Sequence, residues 1–280
     1  MTEQWIRRPT GDRRLPVLVS IPHYGTKALP DITADDYADP AYTTFAYGFA
    51  DAFAADLYGA LHSAGATLLV FPYSRLFVDV NRKRDDFELH NGEVRSERGV
   101  VRTHTIADRA VFAEPISPQA VEDRLKAYYD PYHRTLRELV DEMHEEHGQL
   151  LLVDAHTGSE RGMGEHEIIL GTGRGVTSDA RFSRLAADIF RSYGFTVHHD
   201  VPGYSGGYTV RHYSEPQARQ IHALQIEVKS TLLMAGTRQE FMDSVRRAEV
   251  PASDAHTLLR LRACVADVLE QLAENLGAQQ

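Results

Sequence analysis

Gln149-Leu150-Leu151-Leu152-Val153-Asp154-Ala155-His156 is the stretch whose reading decides the fold. Its continuous apolar run from Gln149 to Val153 is how a strand covered on both faces reads, and it delivers Asp154, Ala155 and His156 to the strand's C-terminal end. Leu15 to Ile21 (LPVLVSI) is a second run of this kind, ending at Pro22-His23-Tyr24-Gly25. Ile221 to Val228 (IHALQIEV) is a third and carries Glu227. Ala66–Pro72, Leu76–Val80, Ile168–Leu170 and Phe195–His199 read as further short strands, the second of them leading into Asn81-Arg82. Continuous apolar strands separated by helices predict an α/β fold, with a mixed, largely parallel central sheet and helices on both faces. In such sheets ligands bind beyond the carboxyl ends of the strands, where this reading puts His23, Asn81, Arg82 and His156.

Helices fill the intervals. Phe45, Phe49, Phe53, Leu57 and Leu61 recur every four positions and predict an amphipathic helix over Thr43–Ala64, stopped near Gly65. Ser117-Pro118 has the form of an N-cap followed by proline at the first helical position, opening a helix that ends at Gly148. Pro131 inside it predicts a break or kink. Asp179–Tyr193 and Ser253–Leu276 are helical in period, whereas Tyr208–Tyr213 reads as extended chain. Residues 83–114 are polar and weakly periodic and read as a long loop excursion. No linker or repeat divides the chain, so residues 1–280 are expected to form one domain.

The 280 residues carry 30 Lys+Arg against 40 Asp+Glu, a net charge of −10, with 14 His and one Cys. A chain this acidic lacks the basic stripe a nucleic-acid binder needs, so a small-molecule partner is expected. No stretch is long and apolar enough to span a bilayer, and the first residues lack the apolar core of a secretory signal; both point to the cytoplasm and away from a membrane. The single Cys264 rules out thiolate clusters, so any metal must rest on His, Asp and Glu.

Three literal motif matches fall away. Gly171-x-Gly173 has Val176 where the dinucleotide fingerprint needs glycine. Gly203-Tyr204-Ser205-Gly206-Gly207 matches a nucleophile elbow, but an extended Tyr208–Tyr213 would not supply the helix that the elbow enters. His144-Glu145-Glu146-His147 has the wrong spacing for two ligands on one helical turn and reads as a solvated helix end. What remains is a candidate metal centre. His23 and His156 each follow a strand, and Asp154 stands two residues before His156, where a carboxylate can orient a metal-bound imidazole from behind. Each histidine could equally hydrogen-bond a loop. Arg82, with Asn81, suits a carboxylate-bearing substrate, the alternative being a structural pair with Asp79 or Asp85. Glu227 interrupts an apolar strand, which fits a general base or, with Gln225, merely the wet face of a half-exposed strand.

Taken together, Val19-Ser20-Ile21-Pro22-His23-Tyr24-Gly25, Tyr73–Arg82 (YSRLFVDVNR), Tyr128-x-x-Pro131-Tyr132-His133, Val153-Asp154-Ala155-His156, Gly206-Gly207-Tyr208-x-x-Arg211-His212-Tyr213 and His222–Glu227 (HALQIE) occur in the order found in N-formylglutamate amidohydrolases. The resemblance covers roughly Pro16 to Met234. That family is similar in fold to zinc carboxypeptidases and aspartoacylases, which implies a phosphorylase/hydrolase-like sandwich. The resemblance further implies that His23 and His156 are Zn2+ (or other divalent metal) ligands, that Glu227 is the general base, and that Asn81-Arg82 binds a substrate carboxylate. The carboxypeptidase H-x-x-E pair is absent, because Thr26 stands where its Glu would be. The family instead has an Asp on the following helix, which here is Asp51, with an exposed helical acid as the alternative. Arg211 is a second candidate for a substrate carboxylate.

The implied activity is metal-dependent hydrolysis of N-formyl-L-glutamate, a small anionic acyl amino acid, to formate and L-glutamate, as in histidine degradation. A deacylase or carboxypeptidase-like enzyme on another acyl amino acid or peptide, and a metal-free binding protein, are the neighbouring readings.

Overall fold

A computed structural model describes residues 2–105 and 107–276. The strands, in chain order, are β1 (Ile6–Arg7), β2 (Val17–Ile21), β3 (Thr67–Val70), β4 (Glu88–His90), β5 (Glu93–Arg95), β6 (Leu150–Gly158), β7 (Ile168–Gly171), β8 (Val197–His199) and β9 (Ile221–Lys229). The helices are α1 (Phe45–Gly48), α2 (Ala54–Tyr58), α3 (Pro118–Arg124), α4 (Asp130–His147), α5 (Glu160–Met163), α6 (Ala180–Ser192), α7 (Tyr208–Tyr213), α8 (Arg238–Arg246) and α9 (Ala255–Leu276). Seven strands form one sheet in the order β1-β3-β2-β6-β9-β7-β8, and β4 pairs with β5 in a separate hairpin within the 83–114 excursion. β3, β2, β6 and β9 are mutually parallel; β1 and β7 run antiparallel to their neighbours β3 and β9. The expected mixed, largely parallel sheet with two helical layers is present.

Side-chain alternation assigns each strand residue to a layer. Val17, Val19, Ile21, Leu151, Val153, Ala155, Leu224 and Ile226 pack with α2, α6 and α9. Leu18, Leu150, Leu152, Ile221 and Ala223 face the other way, onto Leu136, Leu139 and Val140 of α4 and the buried loop 71–80. Following that second face toward the strands' carboxyl ends, the apolar series turns polar: Ser20 after Leu18, Asp154 and His156 after Leu152, Gln225 and Glu227 after Ala223. The register sets Ser20 beside Asp154, Asp154 beside Gln225 and His156 beside Glu227. The site is thus one end of a core face on which polar groups replace hydrocarbon.

Four expectations are corrected. The helix expected over Thr43–Ala64 is a series of short turns, broken at Asp51–Phe53, with α1 before the break and α2 after it. The break follows from tertiary demand: Asp51 N–H donates to His23 O (2.9 Å), and Phe53 sits at φ 68°, a left-handed conformation costing on the order of 1–2 kcal/mol for such a residue. Leu76–Val80 forms turns rather than a strand; its side chains are buried, but Asp79 N–H bonds to Val100 O and Phe77 N–H to Ser74 O instead of to a ladder. Tyr208–Tyr213 is helical. β6 continues to Gly158, so His156 lies within the strand and not past its end. The break expected at Pro131 is a π turn over Leu125–Tyr129, and Ser117 and Gly148 cap the ends as predicted.

Candidate metal centre and active-site cleft

His23 leaves the end of β2, His156 stands on β6, and Asp51 occupies the break between α1 and α2. These three buried residues offer ligand atoms that all lie within 4.8 Å of one another. Each imidazole is held from behind by a buried carboxylate. His23 Nε2 meets Asp79 Oδ1 at 2.7 Å and His156 Nε2 meets Asp154 Oδ2 at 3.0 Å, contacts that orient both rings with Nδ1 toward Asp51. Asp51 Oδ2 lies 2.8 Å from His156 Nδ1 and 3.8 Å from His23 Nδ1.

The charge around this point invites a cation. Asp51, Asp79, Asp154 and Glu227 are all buried here, with Arg75, Arg82 and Arg102 as the neighbouring guanidiniums. Burial lowers the pKa of His156, but Asp154, then Glu227, and the bonds to Asp154 and Asp51 outweigh it, so His156 titrates well above the usual histidine range. A proton on that ring is how the metal-free chain supplies positive charge. For His23, burial dominates and lowers the pKa, leaving a neutral ring whose Nδ1 lone pair accepts from Arg75 Nη1 (2.9 Å) and would turn to an ion bound there. Two oriented imidazoles and a carboxylate, their ligand atoms turned toward one point, fit a divalent ion, and three protein ligands is the number a catalytic zinc takes.

Glu227 stands beside His156 with 6% exposure. Burial raises its pKa to about 7, reinforced by Asp51 and Asp154 and opposed by His156 and Arg75. Gln225 Nε2 donates to its Oε1 (2.8 Å), leaving Oε2 for chemistry. Gly158 keeps that oxygen accessible: a Cβ there would lie 3.3 Å from Oε2 and 2.4 Å from Met163 Sδ. The wet-face reading of Gln225 and Glu227 is therefore set aside, since both are buried.

His23, Asp51, His156, Gln225 and Glu227 open into a cleft of ≈ 730 Å³ whose walls include Arg75, Arg82, Arg98, Arg161 and Arg238. Arg82 is half-exposed at its edge, 3.9 Å from Asp79. Asn81 is buried, and its amide is engaged at both ends: Nδ2 donates to Asp154 Oδ2 (2.8 Å) and Oδ1 accepts from Thr209 N–H (2.9 Å). Arg211 is not brought to the cleft. On α7 its side chain folds back onto the carbonyls of Ser205 and Gly206, both at 3.2 Å. Ser205 is likewise absent from the cleft wall, so it is no nucleophile candidate even though a helix does follow it.

Two groups were missed by sequence reasoning. Asp79 orients His23 as Asp154 orients His156, a role legible only once 76–80 is known to curl back under the histidine. Arg75 reaches between the ligands: Nε donates to Phe49 O (2.6 Å), Nη2 pairs with Asp51 Oδ1 (3.0 Å), and Nη1 lies 2.9 Å from His23 Nδ1. Its only signal was a place in the Tyr73–Arg82 motif. His212 and His222 are engaged elsewhere, with Arg137 and with Asp179 N–H.

A family model described as N-formylglutamate amidohydrolase matches residues 15–234. An N-formylglutamate deformylase of Pseudomonas putida is 32% identical over 235 residues, which span 80% of this chain and 84% of that protein. One from Pseudomonas aeruginosa is 31% identical over 233 residues, 79% of this chain and 83% of its own. Among solved structures, an N-formylglutamate amidohydrolase from Ralstonia eutropha JMP134 superposes with a TM-score of 0.78 at 22% identity, covering 97% of each chain. A gene product of Agrobacterium tumefaciens superposes at TM-score 0.64 and 14% identity, covering 96% of this chain and 95% of its own. The two structures establish that the fold is shared.

Proposed function

The chain belongs to the N-formylglutamate amidohydrolase family, and from that premise we propose that it hydrolyses N-formyl-L-glutamate to formate and L-glutamate with a divalent metal, zinc, held by His23, Asp51 and His156. The observation that carries the reading is the convergence of the three ligand atoms within 4.8 Å beside a glutamate whose pKa is raised to about 7. Residues 1–280 are read as one amidohydrolase domain, because a single seven-stranded sheet carries both cores, one on each face.

A divalent ion bound there supplies Lewis-acid polarisation of the acyl oxygen and lowers the pKa of water. Glu227 Oε2 takes a proton from the attacking water and returns it to the leaving amide nitrogen as the C–N bond breaks, a task suited to a buried carboxylate beside the three ligands. Arg82 offers two parallel N–H groups to a substrate carboxylate. Arg75, anchored by Phe49 O and Asp51, presents Nη1 as a donor for the acyl oxygen. Asn81 acts by holding Asp154 behind His156.

Glu227→Gln is expected to lower kcat by about 10²–10⁴-fold while the purified protein keeps its stoichiometric metal, measured by elemental analysis; normal turnover would remove Glu227 from the role of base. Rates on formyl-, acetyl- and succinyl-glutamate test the acyl group, with formyl expected to be fastest. Protein that carries no stoichiometric divalent metal as purified, and is indifferent to chelator, would favour a binding function over hydrolysis.

A further inference from the structure

The groups that serve the cleft from one side, Asp79, Asn81 and Arg82, lie on a segment with no ladder to hold it. Buried carbonyls outside regular structure need donors from elsewhere. Two of these donors are side chains of one helical face. Tyr129 Oη donates to Arg82 O at 2.7 Å, and His133 Nε2 donates to Val80 O at 2.9 Å. The two donors are four residues apart, on either side of the junction between the π turn and α4, and so project side by side. A π turn carries one residue more than the α-helical path, which shifts the phase of the helix beyond it. The neighbouring Tyr132 Oη lies 2.7 Å from Ser20 Oγ on β2. His133 is itself fixed: its Nδ1 lies 2.9 Å from Tyr213 Oη, the two rings are parallel within 2°, and burial lowers its pKa to about 4, so the neutral ring keeps its proton on Nε2.

We propose that Tyr129 and His133 are positioning residues for the hydrolysis, acting through the backbone. Tyr129 holds the Arg82 carbonyl and thereby aims the Arg82 guanidinium into the cleft. His133 holds the Val80 carbonyl between Asp79, which orients His23, and Asn81, which bridges to Asp154 behind His156. The inference rests on the roles assigned above to Arg82 and to the two histidines. It differs from a stability role in what it couples: loss of Tyr129 Oη acts on substrate binding through Arg82, and loss of His133 Nε2 acts on the metal site.

The test uses the metal-loaded enzyme. Tyr129→Phe is expected to raise KM for N-formylglutamate about 3–10-fold, the scale of one hydrogen bond, with kcat within about twofold. In an Arg82→Met background the same substitution is expected to change KM by less than about twofold, because the group it aims is gone. His133→Asn keeps a polar atom near the Nδ1 position but cannot reach Val80 O, whereas His133→Gln can. Asn is expected to weaken Zn2+ affinity, read by competition with a chromogenic chelator, by about tenfold, as loss of outer-shell partners does, and Gln is expected to restore most of it. An equal KM factor for Tyr129→Phe in both backgrounds, no KM effect at all, or equal metal affinities for the Asn and Gln variants would overturn the inference. Failure of the underlying reading looks different: Arg82→Met alone would leave KM unchanged.

Discussion

His156 is enclosed by three carboxylates, Asp51, Asp154 and Glu227, and in the metal-free chain it answers them with a proton. A metal arriving at Nδ1 must displace that proton. Binding is therefore expected to release protons and to weaken as pH falls below the raised pKa. Calorimetric titration of the chelated protein with Zn2+ in two buffers of different ionisation heat would read the release; equal heats would contradict it. Glu227 has the opposite consequence for the metal-free fold. Its folded pKa of about 7 lies above its ordinary value of 4.5, so the native state retains a proton that the unfolded chain has lost. Its contribution to stability is thus greatest below pH 4.5, declines between about 4.5 and 7, and is level above. The stability of Glu227→Gln relative to the chelated parent should rise across that window, as denaturant unfolding at pH 5, 6 and 7.5 would show. His23, His156 and Glu227 were legible in the sequence because each interrupts or follows an apolar run. Arg75 and Asp79 were not, because their contacts depend on a loop folding back to meet His23, more than 50 positions away.

At the scale of elements, periodicity located the strands and missed the turns that carry chemistry. The four-residue spacing of Phe45, Phe49, Phe53, Leu57 and Leu61 is a sound helical signal, yet the chain leaves the helix at Asp51 because His23 O and His156 Nδ1 claim that residue's backbone and side chain. Leu76–Val80 has strand composition, but burial on all sides is equally met by a packed turn, and alternation cannot separate the two. The resemblance over Gly206-Gly207-Tyr208-x-x-Arg211 makes Arg211 a candidate for a substrate carboxylate, but helix α7 turns its guanidinium onto the 205–206 carbonyls. The start of α7 also gives a test of how tightly elements meet. Gly207 has an ordinary φ of −77°, so alanine is allowed by the backbone, but its Cβ would lie 2.8 and 2.9 Å from the Asn81 amide atoms. Asn81 cannot yield without losing Asp154 and Thr209. Gly207→Ala is expected to destabilise the protein by about 1–3 kcal/mol through overpacking and to weaken metal affinity as well, seen as a lower Tm and a shifted chelator competition. An alanine variant with native Tm and affinity would show that this contact has slack.

At the scale of the molecule, the net charge of −10 and an anionic substrate set opposing demands. A uniformly acidic surface would repel N-formylglutamate, so attraction has to be local. The cleft meets this with Arg75, Arg82, Arg98, Arg161 and Arg238 on its walls, while the buried carboxylates lie deeper, around the ligand atoms. Arg75 is tied to Asp51, which leaves the more exposed guanidiniums to govern approach. Because these sit in water, their attraction is screened over a Debye length of about 8–10 Å at 0.1–0.15 M salt. kcat/KM at low substrate is therefore expected to fall as NaCl is raised from about 0.02 to 0.5 M, with kcat nearly constant. Arg98→Ser and Arg161→Ser should each flatten that dependence, whereas Arg82→Met should raise KM at every salt concentration, since a direct contact to a carboxylate persists where long-range attraction does not. A salt dependence that rises, as expected if the overall charge of −10 governed encounter, would show that the arginines act only on contact and that the molecule admits its substrate against its own field.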